Sequence, residues 1–302
     1  MSTSVANFTS PSKSSQPLPA RPFLKWAGGK GQLIHQYQQF FPQRFSTYCE
    51  PFVGGGAIFF HLAGQPNFPK QPGRVRLLDI NAELINVYRW VRDHPELLIQ
   101  RLADHRDRHC KDYYYQLRAA ANSVNLERAA RLIYLNKTCF NGLYRENSKG
   151  QFNVPMGRYK NPRICDPDLI RAAAACLQGV EIRQVGFDTL NHESWGPQDF
   201  VYFDPPYHPI SVTSSFTGYN RYSFKADDQV RLRETFGILA ARGAQVMLSN
   251  SDCEFIRELY KGFQQHEIKA SRSINAKGTK RGKISELLIT SYSVEPDRGL
   301  QS

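Results

Sequence analysis

The chain has 302 residues, 41% hydrophobic and 22% charged, enough to bury a full core in one large domain or one domain with an insertion. Its 39 basic residues against 27 acids leave a net charge of +12, which points to a polyanionic partner, nucleic acid before an anionic membrane surface. No apolar run approaches a bilayer span, and the six scattered cysteines form no C-x-x-C pair, so neither a membrane helix, a disulfide framework nor a zinc site is expected.

Residues 1–20 are rich in Ser, Thr and Pro and carry one charge, Lys13; they read as a disordered tail and not as a secretory signal. Phe23-Leu24-Lys25-Trp26-Ala27-Gly28-Gly29-Lys30 follows. Its Gly-Gly pair lets the backbone approach a ligand, but it lacks P-loop spacing and reads equally as a turn before the amphipathic stretch 32–40. A short strand from about Phe45 then runs into Glu50-Pro51-Phe52-Val53-Gly54-Gly55-Gly56 and a helix from Ala57. Strand, glycine turn and helix make the first unit of a Rossmann-like nucleotide site, without the G-x-G-x-x-G spacing of a dinucleotide binder. The next strand, 75–79, ends in Asp79, an acid placed to accept from a ribose diol. A nucleoside cofactor without a pyrophosphate, such as S-adenosylmethionine, suits this pocket. Either acid could equally serve as a cap, and Asn81 is a good N-cap for a helix over 82–91.

From 82 to 177 helical periodicity dominates. Leu84, Ile85, Tyr88 and Val91 share one face, Pro95 opens a second helix, 113–121 and 126–135 are two more, and Asp166-Pro167 starts a last one through Leu177. Within this helical insertion lies an irregular stretch over 136–160, rich in basic, amide and aromatic side chains. Arg can pair with guanine, Asn with adenine, and an aromatic can fill the gap left by a displaced base; a solvated basic loop is the other reading.

The chain then returns to α/β. Strands are expected over 180–185 and 199–204, followed by a polar, aromatic loop over 211–224 suited to a mobile active-site element. A helix over 227–242, a strand over 245–250, a helix over 252–260 and a hairpin of 263–270 with 285–293 complete the chain. The hairpin's connection carries Lys269, Arg272, Lys277, Lys280, Arg281 and Lys283 without an acid, as a phosphate backbone would require, or as a solvated tip tolerates.

The strand over 199–204 ends in Asp204-Pro205-Pro206-Tyr207. Two prolines stop the strand and hold the chain extended, leaving carbonyls facing outward beside a carboxylate and a flat ring. That set suits the activation of an exocyclic amine on a planar base: each acceptor takes one N–H while the ring stacks. A strand-ending turn with a satisfied carboxylate is the alternative.

Taken together and in this order, Lys25-Trp26-Ala27-Gly28-Gly29-Lys30, Glu50-Pro51-Phe52-Val53-Gly54-Gly55-Gly56, the helical insertion and Asp204-Pro205-Pro206-Tyr207 resemble the Dam family of DNA adenine-N6 methyltransferases, in the D12 group. The resemblance implies a Rossmann-like, S-adenosylmethionine-dependent methyltransferase sheet over 21–81 and 178–302, with a mostly helical target-recognition insertion over 82–177. Trp26, Lys30, Glu50, Phe52, Gly54, Asp79, Phe187 and Asp204 would hold S-adenosylmethionine, and Asp204, Pro205, Pro206 and Tyr207 would carry the chemistry, with no metal. Phe140 would enter the base stack. Leu143, Arg145 and Pro155 would read base pairs, Lys25 and Tyr159 an outer guanine, and Asn141, Arg158, Lys160, Arg272, Lys280 and Arg281 would contact DNA. The sequence departs from the family pattern at Lys137-Thr138-Cys139 and at Glu146, an acid expected to tune the reach of Arg145. The implied activity is adenine-N6 methylation of duplex DNA, in GATC, by a cytoplasmic monomer. Methylation of RNA or a protein amide, and a non-catalytic DNA-binding relative, are the alternatives.

Overall fold

The computed structural model describes residues 19–120, 124–210, 224–270 and 284–294. The expected basic contacts Arg272, Lys280 and Arg281 lie outside these residues, as do 1–18 of the expected tail and 211–223 of the expected loop. Strands β1 (Thr47–Glu50), β2 (Val75–Asp79), β3 (Glu181–Gln184), β4 (Asp199–Phe203), β5 (Gln245–Ser251), β6 (Gln264–Ala270) and β7 (Ile284–Thr290) form one sheet in the order β3-β2-β1-β4-β5-β7-β6. The first five run parallel; β7 pairs antiparallel with both β5 and β6, so the hairpin turns back between them. The strand order reverses between β1 and β4, which puts the topological switch point, and a ligand crevice, at their carboxyl ends.

The strands are apolar on both sides because both faces are covered. Along β4, Phe200 and Tyr202 point into one core while Val201 and Phe203 point into the other; β1 divides Tyr48 from Cys49 and β5 divides Met247 from Val246 and Leu248 in the same way. The first core is closed by α2 (Ala57–Ala63), α3 (Ala82–Asp93), α4 (Pro95–Asp107), α6 (Asn125–Thr138) and α7 (Pro167–Leu177), the second by α8 (Ala226–Ala241) and α9 (Glu254–Leu259). A short α1 (Ile34–Tyr37) lies in the amphipathic stretch before β1. Helices α3 and α7 begin as read: Asn81 Oδ1 accepts the Leu84 N–H at 3.1 Å, and Asp166 Oδ1 accepts from Leu169 at 3.3 Å. Phe45, expected in β1, precedes it and packs its ring on Tyr48 and Phe200.

A third, smaller core lies under the irregular stretch. Tyr113 and Tyr114 of α5 (Lys111–Ala119), Tyr134 and Leu135 of α6, and Phe152, Val154 and Ile164 meet there. Bridges Cys139–Met156 and Glu146–Phe152 fold 139–156 back on itself, so the stretch is a braced loop and not a free one. Among the described residues no helix is long and apolar enough to cross a membrane.

Candidate active site and the adjoining loop

Because β1, β2 and β4 are parallel neighbours, the acids at their ends, Glu50, Asp79 and Asp204, reach the same edge of the sheet. Each is desolvated, which disfavours its charge. Burial pushes Glu50 up to about 8, with Asp204 adding to it and the Tyr48 hydroxyl, 2.7 Å from Oε2, opposing. Burial raises Asp79 to about 6 against N–H groups donated by Asn81 (2.9 Å) and Gly54 (3.3 Å). Asp204 is also raised, by burial first, while Lys30 and Ser249 pull it down.

The glycine turn is built for close approach. Gly54 has φ +46°, and a Cβ there would lie 2.9 Å from Trp26 Cδ1, so Trp26 closes directly over the turn that Asp79 holds from below. Trp26 stacks in turn on Tyr144, with centroids 5.1 Å apart. Phe52 and Phe187 stack at 5.6 Å and Phe224 meets both, while Ile80, next to Asp79, stays 40% exposed despite being apolar. Trp26, Gly54 and Asp79 thus meet at one turn, Phe52 and Phe187 meet each other, and Ile80, which the sequence reading did not single out, follows the strand-ending acid.

Lys30 joins this pocket to the Asp-Pro-Pro-Tyr segment. Its ammonium is 3.0 Å from Asp204 Oδ1 and 2.8 Å from the Gly28 carbonyl, and lies 4.4 Å over the Tyr207 ring. Ser249 Oγ also donates to Asp204 Oδ1, at 2.8 Å. The prolines' carbonyls do not both face outward. Gln229 Nε2 donates to the Pro206 carbonyl at 3.0 Å and Ser251 Oγ to that of His208 at 2.6 Å, while Asn250 accepts the His208 N–H and donates to Gln229. Gln229 and Asn250 are fully buried. Among the described residues, no donor reaches Asp204 Oδ2 or the Pro205 carbonyl. Sequence reading missed this bracing set. Its signal was the polar run Ser249-Asn250-Ser251, which ends an otherwise apolar strand at the same sheet edge.

The loop over 139–156 is tied to the segment around Lys25 by Asn136. This fully buried amide accepts the Lys25 N–H at 2.8 Å and donates to the carbonyls of Lys25 (2.6 Å) and Gly142 (3.1 Å). Gly142, at φ +65°, leaves room for the Lys25 stem, and the Lys25 ammonium sits 4.5 Å over the Tyr159 ring. Phe140, Leu143 and Tyr159 are 50%, 41% and 36% exposed, an apolar group held in the open; Asn141 takes φ +54°, and the Pro155 carbonyl accepts the Phe140 N–H at 2.9 Å. Arg158 and Lys160 are exposed beside them. Arg145 is pre-aimed by Asn153, whose Oδ1 accepts from Nε at 2.7 Å. Glu146 does not tune it: the strand-like bridge turns Glu146 inward, where its carboxylate takes the Tyr144 hydroxyl. At the departing position Lys137, burial and then the nearby Lys25 hold the ammonium down at about 8.

The sequence profile of D12 class N6 adenine-specific DNA methyltransferases matches residues 26–274, from Trp26 through the motif at Asp204. The chain belongs to that family. Two relatives are the type II methyltransferases M1.LlaDCHI of Lactococcus lactis subsp. cremoris (46% identical over 90% of this chain and 95% of its own) and M.MjaIII of Methanocaldococcus jannaschii (43%, over 90% and 99%). The DNA adenine methylase of Escherichia coli K12 is 35% identical over 89% of this chain and 94% of its own. A D12 methyltransferase takes its methyl group from S-adenosylmethionine and acts on DNA, and the seven-stranded sheet with a reversed last strand agrees with a Rossmann-like methyltransferase fold.

Proposed function

We propose that this protein methylates N6 of an adenine that it swings out of duplex DNA, within GATC. One observation carries the reading: in the Asp204–His208 segment the carbonyls of Pro206 and His208 and one carboxylate oxygen of Asp204 are already occupied, while Asp204 Oδ2 and the Pro205 carbonyl take no donor among the described residues. Two open acceptors at the end of one strand match the two hydrogens of an exocyclic amine.

The donor set fits S-adenosylmethionine. Asp79 offers a buried carboxylate to a ribose diol, Phe52, Phe187 and Ile80 offer flat apolar surface to a purine, and the Gly54 turn under Trp26 lets backbone approach a ligand. Lys30, Glu50 and Asp204 line the side nearer the chemistry. When bound, the cofactor supplies an electrophilic methyl on a sulfonium. Asp204 Oδ2 and the Pro205 carbonyl each accept one N6 hydrogen, which turns the amine lone pair out of conjugation with the ring. Tyr207 stacks on the base, and Pro206 keeps the backbone extended. The bound cofactor would offer its methyl carbon to that lone pair, with sulfur as the leaving group, and Asp204 would take up the surplus N6 proton. The raised affinity of the buried Asp204 for a proton suits it to that last role.

For recognition we assign Phe140 to the gap in the stack, with Asn141, Leu143, Arg145 and Pro155 on base edges and Lys25, Tyr159, Arg158 and Lys160 on the flank. Their support is exposure of apolar and charged groups on a loop that Asn136 and Asn153 hold rigid. The division into a catalytic part (21–81 and 178–302) and a recognition part (82–177) is likewise ours; α3 and α7 of the latter pack into the sheet's own core. The two relatives of greatest identity quoted above are named as type II methyltransferases, which favours a restriction–modification role over a solitary one.

The test is expression in cells that lack adenine methylation, followed by digestion of their DNA with nucleases that differ in sensitivity to methylated GATC. Protection by the wild type, and none by Asp204→Ala that still binds DNA, is the expected result. Protection by Asp204→Ala, or wild-type methylation at another base, would end the reading.

A further inference from the structure

Glu286 of β7 belongs to the catalytic pocket although no motif names it. Its Oε2 accepts the Tyr207 hydroxyl at 2.7 Å and the Tyr37 hydroxyl at 3.2 Å, and stands 3.9 Å from the Lys30 ammonium. Lys30 is shared with Asp204 and covers the Tyr207 ring. Lys30, Glu286 and Tyr207 therefore close a ring of contacts that Asp204 joins through Lys30, with Lys30 buried and both acids largely so, at 20% and 17% exposure.

One ammonium between two carboxylates leaves an uncompensated anion, which is costly in a desolvated pocket. Two phenol hydroxyls directed at the same oxygen offset part of that cost. Packing does not require the acid, since β7 is already fixed by its ladders and by the fully buried Leu287, Leu288 and Ile289. What the acid does locally is bond the one polar atom of Tyr207 and offer Lys30 a second counter-ion. The first fixes the plane of the ring beside the two open acceptors. The second gives the ammonium, 3.0 Å from Asp204 Oδ1, another anchor that fixes its place beside that oxygen.

We propose that Glu286 is a positioning residue for methyl transfer, acting through the Tyr207 hydroxyl and the Lys30 ammonium. The proposal rests on the roles given above to Asp204 and Tyr207.

The experiment compares the wild type, Glu286→Gln, Tyr207→Phe and the double variant in steady-state methylation of a GATC duplex, with thermal melts of each. Gln keeps size and an acceptor oxygen but loses the charge. Glu286→Gln is expected to lower kcat by at least about tenfold, as misplacement of a reacting group does, with KM for S-adenosylmethionine and DNA within about threefold of wild type. In the Tyr207→Phe background the same substitution is expected to cost less than a third of that factor, because part of its route is already gone. A merely structural role would move the melting temperature and give losses that multiply. Losses that multiply, or a Glu286→Gln kcat less than about tenfold below wild type, would overturn the proposal. Should Glu286→Gln not fold, Tyr207→Phe decides: kcat equal to wild type removes the hydroxyl from the argument and overturns it, and a loss in kcat at constant KM upholds it. A wild type that methylates no adenine would instead refute the underlying function, before any variant is read.

Discussion

Glu50→Gln tests the electrostatics of the cofactor edge through stability. Glu50 is 2% exposed, its nearest partner is a neutral hydroxyl, and its proton affinity is raised from 4.5 to about 8. The fold therefore binds a proton at Glu50 more tightly than the unfolded chain does. The stability this provides is fully present below pH 4.5 and is lost as pH rises through about 8. At about 1.4 kcal/mol per pH unit, that interval sets a ceiling of about 5 kcal/mol, and relaxation around the newly charged group brings the expected span to about 2–4 kcal/mol. Glutamine keeps an acceptor for Tyr48 and cannot ionise. In urea denaturation from about pH 5 to 9, Glu50→Gln should gain on the wild type by that amount as pH rises. Asp79 titrates in both proteins and cancels, and the part of the Glu50 shift that comes from Asp204 is included in the expected span. A stability difference that stays flat over the range, or moves against the variant as pH rises, would show that Glu50 is already ionised in the fold and refute the reasoning.

Three further outcomes follow from the same structure. Gly54→Ala must place a methyl against Trp26 at a positive φ, and should weaken S-adenosylmethionine binding by about tenfold or more in calorimetry while DNA binding persists. Asn136→Ala leaves the part-buried Lys25 backbone groups and the buried Gly142 carbonyl unpaired and should cost about 2–4 kcal/mol in urea denaturation. Arg145→Ala should lose about 1–3 kcal/mol of discrimination at one base pair in methylation of substituted duplexes; uniform weakening on every sequence would assign Arg145 to a phosphate.

Much of the candidate site was readable because its signals are local. The strand ending in Asp79 needed only an apolar run and an acid, the helix at Ala82 only an Asn cap, and the Asp204 motif only two prolines that stop a strand. Glu146 misled for the same reason. It adjoins Arg145 along the chain, but the bridge to Phe152 sends it to the opposite side, and adjacency in sequence says nothing of facing until a partner strand is known.

From the sequence alone came the family, the order of its motifs and the chemistry they carry, because these depend on residue type and on turns made within a few residues. Tertiary structure decided which acceptors the described residues leave without a donor and what holds the others. The Tyr207–Glu286 bond spans 79 residues of chain and the Asn136–Lys25 pair spans 111. Both exist only because the antiparallel β7 lies beside β5, and because α6 ends where the Lys25 segment passes. Such contacts follow from the pairing of distant strands and helices, which no short stretch of residues specifies.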